Sequence, residues 1–435
     1  MTKKKEKYFI DLFAGCGGIS LGMEQEGFKP ILVNELNEDA LNTYLINRPE
    51  YPWLNEFNIN DVKDLTQRRN KKTNIQKTLI KKLEKKFNIS FKNGDLDILI
   101  GGPPCQGYSG IGHRRNYGVD KIKIPANKLY EDMAQLIIDF QPKIFLFENV
   151  RGLTNSRWTK DGEKGEIWKD VKDTFSGNKR KFSKLKNYTT QNKLLFAKNY
   201  GVPQNRPRIF IVGIRNDIHK KIDGEFNFFP DPIEQRPPNI EDILGDLIDK
   251  NFIPGKGGET KFYPSKPKNE IQIELRTKKD GSIFKKNDPL LEQLHSKNSE
   301  KVWKKWEYII EKKGVVSDDD KDPRMYKTKK FSQRLLKKRW GNTEPNITVT
   351  GQPEDYIHFA QPRSITVREW ARLQTFPDWY KFTGPRTTGG IRRAGNPRAG
   401  IFDRELPKYT QIGNAVPVKL AREFAKKFKD VLSSV

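Results

Sequence analysis

Cys105 sits in the run Gly101-Gly102-Pro103-Pro104-Cys105-Gln106-Gly107-Tyr108-Ser109, directly after a short apolar stretch. Two glycines and two prolines make a tight, rigid turn there. A lone cysteine is ordinarily a small buried hydrophobe. Between a Pro-Pro pair and a glycine-rich loop, however, it has little apolar surface to pack into, and its thiolate is a nucleophile that can also leave again. Glu148, in Phe147-Glu148-Asn149-Val150, ends a second apolar run. A carboxylate at the carboxyl end of a neighbouring parallel strand faces the same crevice as the cysteine. Gln204-Asn205-Arg206-Pro207-Arg208 precedes a third apolar run and puts two guanidinium groups at one rim. Surface arginines are common, so this last element is weak by itself.

A second constellation lies near the N-terminus. Asp11-Leu12-Phe13-Ala14-Gly15-Cys16-Gly17-Gly18 follows the first apolar run and opens a helical pattern. Glycines at such a turn let backbone approach a nucleotide-like ligand, although a purely structural turn reads the same way. Glu35, at the end of the next run, can accept hydrogen bonds from a ribose diol. Asp61 can accept from an adenine amino group or simply cap a helix. A full dinucleotide fingerprint and a phosphate-gripping lysine are both missing, which disfavours NAD and ATP. A phosphate-free nucleoside such as S-adenosylmethionine suits the site better.

The elements that must position these groups alternate. Tyr8 to Phe13, Pro30 to Asn34, Asp97 to Ile100, Ile144 to Phe147 and Arg208 to Ile214 are compact apolar runs. Ile19 to Gln25, Glu38 to Ile46 and Tyr130 to Phe140 carry helical spacing between them. This rhythm predicts an α/β fold, a mostly parallel sheet with helices on both faces and ligands at the carboxyl ends of its strands. From about residue 216 the rhythm gives way to Pro/Gly clusters and dense lysine, with Trp303, Trp306 and Trp340 as potential core. The expected organisation is a catalytic and cofactor-binding domain over 1–215 and a smaller irregular domain over 216–405. A C-terminal segment, 406–435, then returns to the first domain, with Leu420, Phe424, Phe428 and Leu432 on one helical face. Lysine-rich stretches over 68–86 and 160–186 read as insertions.

The 435 residues carry a net charge of +27, which points to a polyanionic partner. Two cysteines are too few for a disulfide framework and fit a reducing compartment. Neither a signal-like apolar segment nor a bilayer-length run is present, so a soluble, cytoplasmic protein is expected. The four histidines show no metal-ligand spacing.

Taken in order, these motifs resemble those of the cytosine-5 DNA methyltransferases of bacterial restriction-modification systems. The resemblance extends through Arg363-Ser364-Ile365-Thr366-Val367-Arg368-Glu369, Leu373-Gln374-Thr375-Phe376-Pro377-Asp378 and Gln411-Ile412-Gly413-Asn414-Ala415-Val416-Pro417. It covers most of residues 8–215 and 363–425, and residues 216–362 correspond to the family's variable target-recognition region. It implies a Rossmann-like methyltransferase fold and Cys105 as the nucleophile toward cytosine, assisted by Glu148, Arg206 and Arg208. Arg208 would hold the exocyclic oxygen of the base, and Arg206 would orient Glu148 or the backbone. It also implies that Phe13, Gly15, Gly17, Gly18, Glu35, Asp61, Pro103, Leu129, Asn414 and Ala415 surround S-adenosylmethionine. Gln106, Ser109, His113, Arg114 and Arg115 would belong to a lid over a base flipped out of double-stranded DNA. Implied partners are that DNA and a restriction endonuclease reading the same site, with a monomer sufficient for the chemistry. Two other readings stay open at this point: a transfer RNA cytosine methyltransferase, and a DNA binder that has lost catalysis. The first lacks its extra cysteine signature here, and the second is disfavoured by the joint presence of Cys105, Glu148 and Arg208.

Overall fold

A computed structural model describes residues 6–66, 73–104, 120–222, 224–317, 320–326, 333–388, 392 and 405–434. Cys105, Gln106, Ser109, His113, Arg114 and Arg115 lie outside these residues.

The centre is a seven-stranded sheet in the order β3-β2-β1-β4-β5-β7-β6. Its strands are β1 (Lys7–Leu12), β2 (Phe28–Asn34), β3 (Asn58–Ile59), β4 (Ile98–Gly101), β5 (Ile144–Val150), β6 (Tyr188–Phe196) and β7 (Pro207–Arg215). Pairings from β3 through to β5 are parallel, while β7 runs antiparallel to both β5 and β6. The strand order reverses at β1 and β4, and in an open α/β sheet ligands bind outside the carboxyl ends at such a point. The glycine turn follows β1 and the Pro-Pro-Cys loop follows β4. Topology alone therefore brings the two constellations together.

Side-chain alternation explains why both faces of the sheet are covered. Leu12, Leu99, Phe145, Phe147, Ile209 and Ile211 point to one face. There they meet apolar residues of the helices Thr73–Phe87, Leu129–Phe140 and Glu166–Phe175, such as Leu83, Met133 and Phe175. Phe9, Ile98, Ile100, Leu146, Phe210 and Val212 point to the other. That side is closed by α1 (Gly18–Gln25) and by the C-terminal helix Val418–Ser433, whose Leu420, Phe424, Phe428 and Val431 are buried. The ring centroids of Phe210 and Phe424 lie 4.7 Å apart. Gly22 is required for this packing, since a side chain there would start 2.6 Å from Ala421 Cβ. Each large side chain buried in this way contributes about 1.5–3 kcal/mol.

Residues 240–382 share a core with the first domain. Leu244, Trp340, Val349, Trp370, Phe376 and Tyr380 cluster with Cys16 and Leu21 from the α1 end and with Ile412 and Val418 from the C-terminal segment. Trp306 and Trp340 are buried as expected, whereas Trp303 is only partly so. The lysine-rich stretch over 160–186 is not a loose insertion. It contains the helix Glu166–Phe175, and Lys179 and Lys181 are paired with Asp170 and Glu131. Among the described residues no helix is long and apolar enough to cross a membrane.

Candidate active site

Sheet register determines what faces the end of β4. Gly101 is paired with Phe147, so Gly102 lies beside Glu148. A side chain at Gly102 would begin 3.0 Å from Glu148 Oε2, so glycine is what lets the loop pass this carboxylate. In the antiparallel β5–β7 pair Glu148 is opposite Phe210 and Val150 opposite Arg208. Glu148 and Arg208 are therefore diagonal neighbours on one face. Arg208 Nε lies 2.6 Å from Glu148 Oε1, with 11% and 12% of the two side chains exposed. Burial raises the Glu148 pKa above the ordinary carboxyl value, and the positive charges of Arg208 and Arg206 reverse this only in part. Asn149 points the other way. Its Nδ2 donates to the Pro103 carbonyl at 3.2 Å and its Oδ1 accepts from the Val150 N–H, so it fixes the base of the Pro-Pro turn.

Arg206 is 2% exposed and spends its hydrogen bonds on backbone. It donates to the carbonyls of Val349 and Gly413, each at 2.5 Å. Burial and then the like charge of Arg208 lower its pKa. Next to it Gln204 donates to the Leu373 carbonyl and Gln374 Oε1 and accepts from the Val349 N–H. This turn is where sheet, target region and C-terminal segment meet. Of the two roles open to Arg206, its hydrogen bonds serve the backbone one, and its effect on Glu148 is electrostatic.

The glycine turn is built on Glu35. Burial raises the Glu35 pKa, and its two oxygens accept from the N–H groups of Gly15 and Asn37, both at 2.8 Å. Phe13, at the exit of β1, has φ 57°, and its N–H donates to Asn34 Oδ1. Asn34 Nδ2 in turn donates to the carbonyls of Ile59 and Asn60, which places Asp61 at the same end of the sheet. Asp61 Oδ1 accepts from the Lys63 N–H. A side chain at Gly18 would begin 2.5 Å from the Val416 carbonyl and 3.1 Å from Ala415 Cβ, so the C-terminal motif does lie against the turn. Asn414 beside it is exposed. Leu129 is half-buried against the core on one face of the sheet, and Pro103, just after β4, is buried.

Several supporting residues escaped sequence reasoning. Leu36, 71% exposed, is a large apolar side chain directly after Glu35 at the end of β2. Asn34 and Asn149 act through backbone contacts that leave no spacing signal. Under the turn lies a buried polar network: Ser20 donates to Asp11 and bonds Tyr44, and Arg48 reaches Glu24, Tyr44 and Tyr380.

With this geometry in view, similarity to known proteins is informative. The family described as C-5 cytosine-specific DNA methylase matches residues 8–430. Type II methyltransferase M.DdeI of Desulfomicrobium norvegicum is 31% identical over 96% of this chain and 87% of its own. Type II methyltransferase M.FnuDI of Fusobacterium nucleatum is 29% identical over 98% and 94%. A crystal structure of a prophage-encoded protein from E. coli, described as a DNA modification methyltransferase, superposes with a TM-score of 0.59 at 22% identity. That match covers 98% of this chain and all of the other, and it bears on the fold alone.

Proposed function

Since this chain belongs to the C-5 cytosine-specific DNA methylase family, and is thus a DNA (cytosine-5)-methyltransferase, we propose that it takes its methyl groups from S-adenosylmethionine and uses Cys105 as nucleophile. Its biological setting is that of its relatives, the modification methyltransferase of a type II restriction-modification system. A cognate endonuclease reading the same site is the partner this implies, and one copy of the chain suffices for the chemistry.

The observation that carries the reading is the Glu148–Arg208 pair beside Gly102, three residues before Cys105 at the end of β4. S-adenosylmethionine, when bound, supplies a methyl group on a positively charged sulfur. Phe13, Glu35, Asp61, Leu36 and Ala415 border the space that would hold it. The donor set suits a nucleoside without phosphate: carboxylates from Glu35 and Asp61 would accept from ribose and amine groups, and Arg48 beneath the turn is already committed to Glu24. Carbon 5 of cytosine is a poor nucleophile. Addition of the Cys105 thiolate at carbon 6 makes carbon 5 electron-rich enough to take the methyl group, and once carbon 5 carries it, loss of the carbon 5 proton to water lets the thiolate leave again. Glu148, which burial inclines to keep its proton, shares it with ring nitrogen 3 and neutralises charge during addition. Arg208 holds that carboxyl in place and reaches the exocyclic oxygen. A base stacked in duplex cannot reach this site, so it must be flipped, at a cost of a few kcal/mol. Gln106, Ser109, His113, Arg114 and Arg115 would cover it.

Incubation with methyl-labelled S-adenosylmethionine and either duplex DNA or transfer RNA tests this. Label is expected as 5-methylcytosine in DNA, and its loss in Cys105→Ala is expected to be complete. Label confined to transfer RNA, or retained in DNA by the variant, would overturn the substrate or the nucleophile respectively.

A further inference from the structure

Two carbonyls of the glycine turn are held from below by side chains that no motif includes. The Tyr380 hydroxyl donates to the Cys16 carbonyl at 2.5 Å, and Arg48 Nη2 donates to the Gly17 carbonyl at 3.3 Å. The same hydroxyl accepts from Arg48 Nη1 at 3.0 Å, so the two form one unit. Arg48 is itself immobilised: its Nε is 2.6 Å from Glu24, its Nη1 donates to the Tyr44 carbonyl, and it stacks on the Tyr44 ring. Gly17 has φ 82°, and a side chain there would start 2.8 Å from Arg48 and 2.9 Å from the Tyr380 hydroxyl. The fit is thus close on both sides.

Tyr380 reaches the turn from the irregular second domain, beyond its variable part, 364 residues along the chain from Cys16. Its own backbone is fixed by Arg368, which donates to the carbonyls of Pro377 and Tyr380. The following residues run along the helix Glu38–Ile46: Lys381 exchanges hydrogen bonds with Asn47, and Thr383 bonds Thr43 and the Asp39 carbonyl. The N–H and C=O of a trans peptide point in opposite directions. Holding the Cys16 and Gly17 carbonyls underneath therefore turns the Gly17 and Gly18 N–H groups to the opposite side, where the Gly17 N–H closes the turn onto Ala14.

We propose that Tyr380 is a positioning residue for cofactor binding, acting through Arg48 and the two turn carbonyls. It makes the shape of the cofactor turn depend on the docking of the second domain. The proposal rests on the reading of Ala14–Gly18 and Glu35 as the cofactor site. Phenylalanine would keep the ring packing against Phe376 and Phe382 and remove only the hydroxyl.

The test is Tyr380→Phe in the full chain, with S-adenosylhomocysteine binding measured by calorimetry alongside steady-state kinetics. The dissociation constant and the KM for S-adenosylmethionine are expected to rise about tenfold, the scale of one lost buried hydrogen bond. The kcat at saturating cofactor and the KM for DNA are expected to stay within about twofold, for the same reason that only the turn is altered. Thr383→Val loosens the same segment without touching the turn, and should lower thermal stability with cofactor affinity unchanged. Equal losses of affinity in Tyr380→Phe and Thr383→Val, or no loss in Tyr380→Phe while Glu35→Ala loses binding, would overturn the proposal. Unchanged binding in Glu35→Ala would instead remove the cofactor-site reading beneath it.

Discussion

Glu148→Gln is expected to lower the single-turnover rate of methyl transfer by about two to three orders of magnitude, the usual contribution of a positioned proton donor. Glutamine has nearly the same shape and can still face Arg208, so the change removes the exchangeable proton more than the packing. Glu148 sits at the end of β5 with one oxygen against Arg208 and the other against Gly102, and burial raises its pKa. A raised pKa means the carboxyl keeps its proton further up the pH scale than an exposed glutamate does. The wild-type rate should fall as pH rises through that value, and this limb should be missing from the glutamine profile. S-adenosylhomocysteine affinity should be unaffected, because Glu35 and the glycine turn are built separately. A glutamine variant with wild-type rate and pH profile would make Glu148 a structural partner of Arg208 and no more.

Arg372→Met is expected to produce the largest loss of stability, about 3–5 kcal/mol, the range for breaking a buried ion pair from one side. At about 2–4 °C per kcal/mol for large domains, the melting temperature should fall by roughly 10 °C. Arg372 is fully buried and bridges two carboxylates. Its Nε and Nη2 bond Asp378 at 2.9 and 2.6 Å, and its Nη1 bonds Asp246 at 2.6 Å. Asp246 keeps a second partner in Arg276, whereas Asp378 is left with the Tyr263 hydroxyl. In the wild type burial pushes the Asp378 pKa up, but Arg372 more than reverses this and holds it below the ordinary value. Without Arg372 burial wins and the carboxyl prefers its proton. The deficit of the variant should therefore shrink as pH is lowered from 8 to 5, which thermal melts at several pH values would show. A deficit independent of pH would mean that lost packing, not the orphaned carboxylate, is the cause.

Strands β1, β2, β4, β5 and β7 were legible because each is buried on both faces and reads as a continuous apolar run. β6 was not, because it is an edge strand: in Tyr188–Phe196 only Tyr188 and Leu195 are buried, and Thr, Gln, Asn and Lys dominate its face. The helix Glu166–Phe175 was hidden among lysines that turn out to lie outside its buried stripe of Ile167, Val171 and Phe175. In the second domain the apolar pattern fails for another reason. Arg363, Arg368 and Arg372 are all at most 1% exposed, and their partners include Glu369, Asp378 and Asp246. Arg372 and Asp246 are 126 residues apart, a distance over which no local period can signal burial.

The site divides in the same way. Glu148 and Arg208 were legible as motif residues at strand ends, and the strand order brings them together. Their support was not. The Asn149 bond to the Pro103 carbonyl, the backbone role of Arg206 and the Tyr380–Arg48 unit depend on carbonyl groups, which are identical at every position of a sequence.

If Cys105 forms a transient bond to carbon 6 of a flipped cytosine, that bond can be trapped. Duplex DNA carrying 5-fluorocytosine in place of cytosine offers the same carbon 6, but fluorine at carbon 5 cannot leave as a proton does. With S-adenosylmethionine present, the wild-type protein should be trapped on this DNA as a complex that survives denaturing electrophoresis, and peptide mass spectrometry should place the nucleotide on Cys105. Cys105→Ala should leave no such complex. Trapping at another residue, or efficient methylation of ordinary DNA with no trapping at all, would rule out Cys105 as the nucleophile.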